Sequence, residues 1–228
     1  SALLFRLGNV KKNIGYNREG RGFLLDFSPE INYHKHYINR YAFLFNEYIG
    51  NKYVYLPELS LRYTGQKTFQ FDNSHKTIAL YLGGENKEFR KYPDEYAVQL
   101  LRLLNRQGYN LLLIGDENDN IKHTQYAEEA RIDHLINLTA RTTIEGFINT
   151  IANVDLIITI DSSALHIAAA VKTPFIALMG LSTSPTSTIL PKVPLGRILK
   201  IENNLIREED YIRNITPDLI LKTISELI

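Results

Sequence analysis

The sequence predicts an α/β fold, a parallel sheet with helices on both faces, and two observations carry that prediction. From residue 77 onward, short apolar runs alternate with segments of helical periodicity, as in successive βα units. The run 156–160, Leu-Ile-Ile-Thr-Ile, is apolar almost throughout, which is typical of a strand buried on both faces of a parallel sheet. Because βα units cross over in a right-handed sense, helices are expected to cover both faces.

The individual elements follow from the apolar runs and from the residues that begin and end helices. The predicted strands are Thr77–Leu82, Tyr109–Ile114, His134–Leu138, Leu156–Ile160 and Phe175–Met179. The predicted helices are Pro93–Gln107, Ile121–Ala130, Thr143–Ala152, an alanine-rich helix that Thr173-Pro174 ends, and a last helix from Thr216-Pro217 to Ile228. Thr142 and Glu145 have the spacing of a capping box at the third of these helices.

The beginning of the chain has a different organisation. After a short helix, Asn13–Tyr16 and Gly22–Phe27 are strand-like runs on either side of a charged turn, and Tyr33–Gly50 has helical periodicity. The polar, turn-rich stretch 63–74 predicts a boundary between domains. We therefore expect two parts, residues 1–70 and residues 71–228.

Composition narrows the function classes. The 26 basic and 25 acidic residues nearly cancel, which argues against a nucleic-acid-binding protein. The chain has no cysteine, so disulfides and thiolate metal sites are excluded. His34 and His36 have no third ligand nearby in the sequence and make a poor metal site. Neither a metal nor another cofactor is expected.

The turn after 156–160 is the most informative feature. Asp161, Ser162 and Ser163 end the strand and precede the alanine-rich helix. Such a turn, at the carboxyl end of a strand and the amino end of a helix, is where α/β proteins bind phosphates and nucleotides. Spacing alone favours a plain helix cap at these residues. It also favours a structural role for His166, one turn into the helix.

This segment and an earlier motif resemble motifs of the glycosyltransferase family that contains the bacterial heptosyltransferases. Asp161-Ser162-x-x-x-His166, with the alanine-rich helix and Thr-Pro after it, resembles the signature of that family. Residues 90–93, Arg-Lys-Tyr-Pro, are similar to its Lys-x-Trp-Pro before a helix. Ser163 departs from the pattern, since the family usually has glycine there.

Two further motifs occur in the same order as in that family. Residues 115–117, Gly-Asp-Glu, resemble its acidic nucleotide-sugar loop. Residues 138–145, Leu-Thr-x-x-Thr-Thr-Ile-Glu, resemble its Leu-x-Gly-x-Thr-Ser-Leu-x-Glu. Ile14-Gly15-Tyr16 with Arg18 and Arg21 extends the likeness weakly towards the start. The four motifs span residues 77–180, so the resemblance covers nearly half of the chain.

The resemblance implies a GT-B-type architecture of two Rossmann-like domains. This chain would hold the complete donor domain and only the last part of the acceptor domain. The implied reaction is inverting transfer of heptose or a related sugar from an ADP-sugar donor to the lipopolysaccharide core. The implied location is cytoplasmic, which allows a peripheral contact with the inner membrane. Because the family's catalytic aspartate lies near the start of the absent segment, the chain alone is expected to bind donor without catalysing transfer.

The resemblance also implies roles for single residues. The turn of Asp161, Ser162 and Ser163 would hold the donor diphosphate, which His166 would stabilise as it leaves. Arg90 stands where the family has a lysine and would grip phosphate with two hydrogen bonds. The other implied donor contacts are Asn86, Lys91, Glu117 and Thr142. Arg18 and Arg21 would face anionic groups of the acceptor, with a solvated turn as the alternative.

Two other interpretations remain open. A Rossmann-like nucleotide-binding domain with a redox or regulatory role would need a glycine fingerprint after its first strand. Residues 83–86, Gly-Gly-Glu-Asn, do not supply it. A non-catalytic protein that retains the fold is also compatible with these residues. Binding of ADP, as against UDP or NAD, discriminates the first alternative from sugar transfer.

Overall fold

The computed structural model describes residues 2–33, 37–50, 59–83, 91–180, 190–191, 193–201 and 207–228. The chain forms two compact units. The first includes Ser1–Glu58, and the second includes Leu59–Thr183 and Pro191–Ile228. The predicted donor contacts Asn86 and Arg90 lie outside the described residues, as does the His34/His36 pair.

The second unit is built on a six-stranded parallel sheet. Its strands are β1 Thr77–Tyr81, β2 Asn110–Leu113, β3 Leu135–Asn137, β4 Leu156–Ile160, β5 Phe175–Leu178 and β6 Gly196–Leu199. They lie in the order β3-β2-β1-β4-β5-β6, and each neighbouring pair is parallel. All residues of β1, β2, β4 and β5 are buried, whereas the edge strands are partly exposed. Because successive side chains of a strand point to opposite faces, this burial shows that both faces are covered. The predicted fold class is confirmed.

Seven helices accompany the sheet and the first unit within the described residues. They are α1 Ala2–Leu7, α2 Tyr37–Ile49, α3 Asp94–Arg106, α4 Asn120–Ala130, α5 Ile144–Ala152, α6 Ser163–Val171 and α7 Pro217–Ile224. The helix α3 packs against α4 and α7, and α5 packs against α6. The apolar face predicted for α3 is buried, at Ala97, Leu100, Leu101 and Leu104.

The strand order places a topological switch point between β1 and β4. From β1 the chain continues outward to β2 and β3, and from β4 it continues to β5 and β6 on the other side. In open sheets of this order, ligands bind in the crevice beyond the carboxyl ends of the strands at this point. The carboxyl ends of β1, β2 and β4 therefore lie around the position where a ligand is expected.

The first unit differs from the sequence prediction. The run Gly22–Phe27 is not a strand, because Arg21–Leu24 forms a 3₁₀ helix. A single parallel bridge between Ile14 and Phe27 connects the end of this run to Asn13–Tyr16. The Gly22 N–H donates to Asn17 Oδ1 at 2.8 Å, and Gly20 has a left-handed backbone with φ of 70°. This local bonding coils the chain where the apolar pattern suggested extension.

The strand β6 was missed by the sequence pattern. Arg197 and Ile198 at its centre are exposed, so no apolar run marks it. A Cβ atom added to Gly196 would overlap the ring of Phe175 on β5, so this glycine permits the two strands to approach. Tertiary pairing at the sheet edge forms this strand. The 3₁₀ helix Glu208–Asn214 was also missed.

The polar segment before β1 is held to α5 by side-chain hydrogen bonds. Asn149 Oδ1 accepts from the Gly65 N–H at 3.2 Å, and its Nδ2 donates to Thr64 Oγ1 at 2.8 Å. The hydroxyls of Thr68 and Thr150 lie 2.6 Å apart. Asn149 and Thr150 are buried. These bonds satisfy polar groups that would otherwise lose their hydration without compensation.

Candidate functional site

The turn between β4 and α6 begins with a helix cap. Ser162 has an extended backbone, and its hydroxyl accepts from the Ala164 N–H at 3.2 Å. The same hydroxyl lies 2.9 Å from that of Thr159, which is buried in β4. The cap expected from the sequence is therefore formed by Ser162, while Asp161 is half-buried and Ser163 is exposed. This turn directs its next polar side chains towards solvent.

His166 is exposed, one turn into α6. Its neighbours Ala164, Leu165 and Ala168 are buried and form the face of the helix that packs on the sheet. Residues three apart on a helix share a face, so His166 lies on the same outward face as Ser163. The exposed position of His166 leaves it accessible to a ligand at the carboxyl ends of the strands, and its role stays a prediction.

The turn after β2 has the opposite arrangement. Asp116 caps the 3₁₀ helix Glu117–Asp119 by accepting from the Asn118 N–H at 2.8 Å, and Asp119 Oδ2 accepts from the Asp116 N–H at 3.3 Å. This is a reciprocal capping box. Glu117, the residue predicted to read sugar hydroxyls, is exposed, whereas Asp119 is only 4% exposed. Sequence reasoning missed Asp119, because three acidic residues in four positions carry no signal of which one turns inward.

The capping box predicted for Thr142 and Glu145 is wrong by one position. Thr143 is the N-cap of α5, and its hydroxyl accepts from the Gly146 N–H at 3.1 Å. Because α5 begins at Ile144, Thr142 lies one residue before the cap, at the end of the turn that follows β3. The predicted contact between Thr142 and the donor stays a prediction.

Lys91 is part of an ionic network at the start of α3. Its Nζ lies 3.1 Å from Asp94 Oδ1, and Lys122 Nζ lies 2.7 Å from Asp94 Oδ2. The Tyr126 hydroxyl also donates to Asp94. Burial would raise the pKa of Asp94, but the hydrogen bonds from Lys122, Tyr126 and Lys91 lower it to about 2. A phosphate near Lys91 would therefore share this ammonium with Asp94.

Tyr92 packs in the core. It is fully buried, and its hydroxyl donates to the Ile215 carbonyl at 2.9 Å. Burial raises the pKa of this hydroxyl, with a smaller effect of neighbouring Tyr96. The residue joins the loop before α3 to the segment before α7 and is inaccessible to a ligand.

His123 is a second residue that the sequence analysis missed. It is fully buried on α4, and its Nδ1 lies 2.7 Å from the Thr139 hydroxyl. Burial lowers its pKa to about 4, and neighbouring Asp119 opposes this effect only in part. The imidazole is therefore neutral at pH 7, and it connects α4 to the turn that carries Thr142.

Arg18 and Arg21, predicted to face the acceptor, line one cleft of the first unit with a volume of about 530 Å³. Lys12 and Arg40 line the same cleft. Arg40 is 4% exposed and donates to the Tyr33 carbonyl. Among the described residues that line the cleft, there is no aspartate or glutamate. Its charge is therefore suited to an anion.

Within the described ranges, no three His, Asp or Glu side chains are grouped closely enough to hold a metal ion. In the same part of the chain, none of the helices has the length and apolar character required to cross a bilayer.

The strand order, with its switch point between β1 and β4, defines a Rossmann-like α/β fold. The sequence model of glycosyltransferase family 9 (heptosyltransferase) matches residues 1–209, and the chain belongs to that family.

Curated relatives and solved structures agree with this assignment. Over 158 residues, 64% of this chain, it is 31% identical to lipooligosaccharide heptosyltransferase 2 of Haemophilus influenzae. The match covers 45% of that relative, so the chain spans about half the length of the curated relatives it matches. The structure of Escherichia coli ADP-heptose lps heptosyltransferase II is similar over 99% of this chain and 72% of its own, with a TM-score of 0.82 and 21% identity. E. coli heptosyltransferase WaaC with ADP is similar over 95% of this chain and 65% of its own, with a TM-score of 0.68 and 16% identity. These two likenesses concern the fold.

Proposed function

We propose that this chain is the donor-binding part of an inverting heptosyltransferase. It would transfer heptose or a related sugar from an ADP-sugar donor to a lipopolysaccharide-core acceptor. The protein would be in peripheral contact with the inner membrane. The observation that carries the proposal is the turn from Asp161 to His166, in a chain of this family. The turn lies at the switch point, its helix is capped by Ser162, and His166 is exposed on the accessible face.

The reaction exchanges one bond at the sugar. A hydroxyl of the acceptor forms a bond to the anomeric carbon as the bond to the diphosphate breaks, and ADP leaves with that electron pair. The hydroxyl proton passes to a general base, a role that no residue of this chain is assigned. Negative charge grows on the leaving diphosphate, where backbone N–H groups and the dipole of α6 favour an anion.

His166 and Arg90 would complete this stabilisation. Both ring nitrogens of a protonated histidine donate, so His166 can meet a phosphate oxygen as charge develops. Arg90 would hold the diphosphate through paired hydrogen bonds, with Lys91 beside it. The further donor contacts we propose are Asn86, Glu117, Thr142 and Ser163. Arg18 and Arg21 would bind anionic groups of the acceptor, because they line a cleft with basic side chains.

Calorimetry with ADP, UDP and NAD, each in the presence of EDTA, tests the proposal. We expect the chain to bind ADP without metal, with weaker or no binding of UDP and NAD. Loss of ADP binding on chelation would contradict the metal-free site. Binding of NAD in preference to ADP would instead favour the redox or regulatory alternative.

Arg90→Ala tests the phosphate contact itself. A charge-assisted hydrogen bond contributes about 1.5–3 kcal/mol, so ADP affinity should fall roughly ten- to a hundredfold. Adenosine affinity should hardly change. Arg90→Lys is the matched control, because it restores the family's residue and should retain much of the ADP affinity. Equal losses for ADP and adenosine would show that Arg90 does not contact phosphate.

A further inference from the structure

Asp119 lies between the carboxyl ends of two neighbouring strands. A Cβ atom added to Gly83, which follows β1, would overlap its carboxylate. A Cβ atom added to Gly115, which follows β2, would lie 2.7 Å from its Oδ2. Both glycines therefore leave room for one side chain, and the Asp119 carboxylate occupies it.

Backbone hydrogen bonds connect the strand ends around this carboxylate. The Ile114 N–H donates to the Leu80 carbonyl at 3.0 Å, and the Ala140 N–H donates to the Gly115 carbonyl at 3.1 Å. Asp119 adds a bond from the Asp116 N–H. The ends of β1, β2 and β3 are thus connected laterally, and the carboxylate lies where the first two diverge.

The buried position of Asp119 gives it a role unlike that of a ligand. Its 4% exposure leaves little surface for a substrate hydroxyl, in contrast with exposed Glu117. A nearly buried carboxylate is costly unless its charge is stabilised. It lies at the N-cap position of the eleven-residue α4, where the helix dipole favours an anion.

We infer that Asp119 is a positioning residue of the donor site, whose carboxylate sets the spacing between the ends of β1 and β2. The inference rests on the proposed function, since the loop that leaves β1 at Gly83 carries the proposed donor contacts Asn86 and Arg90. Displacing this carboxylate would shift Gly83 and Gly115, the described residues that lie against it, and donor affinity should then fall.

The test compares Asp119→Asn with Asp155→Asn in the whole 228-residue chain. Asp155 is the control because its carboxylate also accepts a backbone hydrogen bond, from the Thr77 N–H to Oδ2 at 2.8 Å. This bond joins β1 to the segment before β4 at the amino ends of the strands, away from the proposed donor site. We expect Asp119→Asn to speed hydrogen exchange in peptides that contain Gly83 and Gly115 by about tenfold, the difference between a charged and a neutral hydrogen bond. ADP affinity measured by calorimetry should fall by a similar factor. Asp155→Asn should change neither.

A second variant keeps the test decisive if Asp119→Asn folds poorly. Gly115→Ala retains the charge but presses a methyl group against Asp119 Oδ2, and it should reproduce both effects. Exchange in the two peptides that matches the Asp155→Asn control would overturn the inference, as would faster exchange with unchanged ADP affinity. A wild-type chain that binds no ADP contradicts the proposed function, while the exchange comparison still decides whether the carboxylate positions the two strand ends.

Discussion

The turns after β2 and β4 begin with the same sequence pattern and end with opposite arrangements. Each is an apolar strand, a short polar run that contains aspartate, and a helix. After β2, the Asp119 carboxylate turns inward between two strand ends, with buried His123 behind it. After β4, the Ser162 hydroxyl turns back to cap its helix, and His166 is exposed.

This difference distinguishes residues that stabilise the fold from residues that can contact a ligand. A polar side chain that bonds to nearby backbone groups stabilises the ends of the strands, whereas an exposed side chain can reach a ligand. The two kinds of residue respond differently to substitution. Changes at the inward turn should reduce folding stability, and changes at the outward residues should reduce ligand binding with little effect on stability.

Lowering the pH should have the largest effect on folding stability, and it should act through His123 beside the turn after β2. Burial lowers the pKa of His123 from 6.5 to about 4, so between these values the unfolded chain binds a proton that the folded chain does not. The contribution of neutral His123 to the free energy of unfolding is therefore fully present above pH 6.5. It is lost as the pH falls towards 4, and the loss amounts to roughly 3 kcal/mol. Urea unfolding at a series of pH values measures this loss.

A matched pair of variants assigns that loss to one side chain. His123→Gln should flatten the decline between pH 6.5 and 4, while His134→Gln, at an exposed histidine, should leave it in place. Asp94, with its pKa lowered to about 2, contributes stability that is lost only below pH 3.8 and falls outside this window. An unchanged decline in His123→Gln would contradict the assignment.

Gly83→Ala should have the next largest effect. Its methyl group would overlap the Asp119 carboxylate, and overpacking of this kind costs about 1–3 kcal/mol. Gly15→Ala is the control, because its methyl group would make ordinary contact with Leu25 at 3.5 Å. Chemical denaturation measures both. Adding Asp119→Ala to Gly83→Ala should recover part of the loss, and strict additivity would show that the two residues do not meet.

Ser162→Ala should cost about 1 kcal/mol, the usual value of an N-cap. The change removes the acceptor of the Ala164 N–H, while Thr159 keeps its bond to the Ile160 carbonyl. Ser163→Ala, one residue further into the helix and exposed, should change the free energy of unfolding by much less. Equal losses at both positions would indicate that the cap is not the source of the effect.

His166→Ala should have the smallest effect on stability, within about 0.5 kcal/mol, as for most exposed residues. Its ADP affinity should nevertheless fall more than its adenosine affinity, because the proposed contact is to phosphate. His134→Ala provides an exposed control at the far edge of the sheet. A lowered melting temperature with unchanged ADP affinity would place His166 among the supporting residues and remove the difference between the two turns.

The fold of the second unit could be predicted from sequence to the extent that burial leaves an apolar run. The strands β1, β2, β4 and β5 are buried along their whole length, and each was predicted. The edge strand β6 lacks such a run. It forms because Gly196 lets it pack closely against Phe175 of β5, and this contact leaves no signal in the local sequence. In the first unit, Asn17 bonds locally and converts an extended run into a turn.

The candidate site shows a similar limit. A serine or aspartate before a helix predicts a cap, and Ser162 forms one. The pattern at Thr142 and Glu145 matched a cap equally well, yet the helix begins one residue later at Thr143. The sequence also could not show that Asp119 is buried while Glu117 is exposed. That outcome depends on the space that Gly83 and Gly115 leave for one carboxylate in the folded chain.

The strand order has a consequence for how the sheet is assembled. At its centre Ile78 pairs with Leu156, so the middle of the sheet closes only after 78 further residues have been added to the chain. Contacts between positions so distant form slowly, because the intervening chain must be ordered first. Until β4 arrives, β1 presents an apolar edge with unpaired backbone groups, which is a template for association with other chains. While residues 82–156 are being synthesised, this edge of β1 is therefore open to association with other chains.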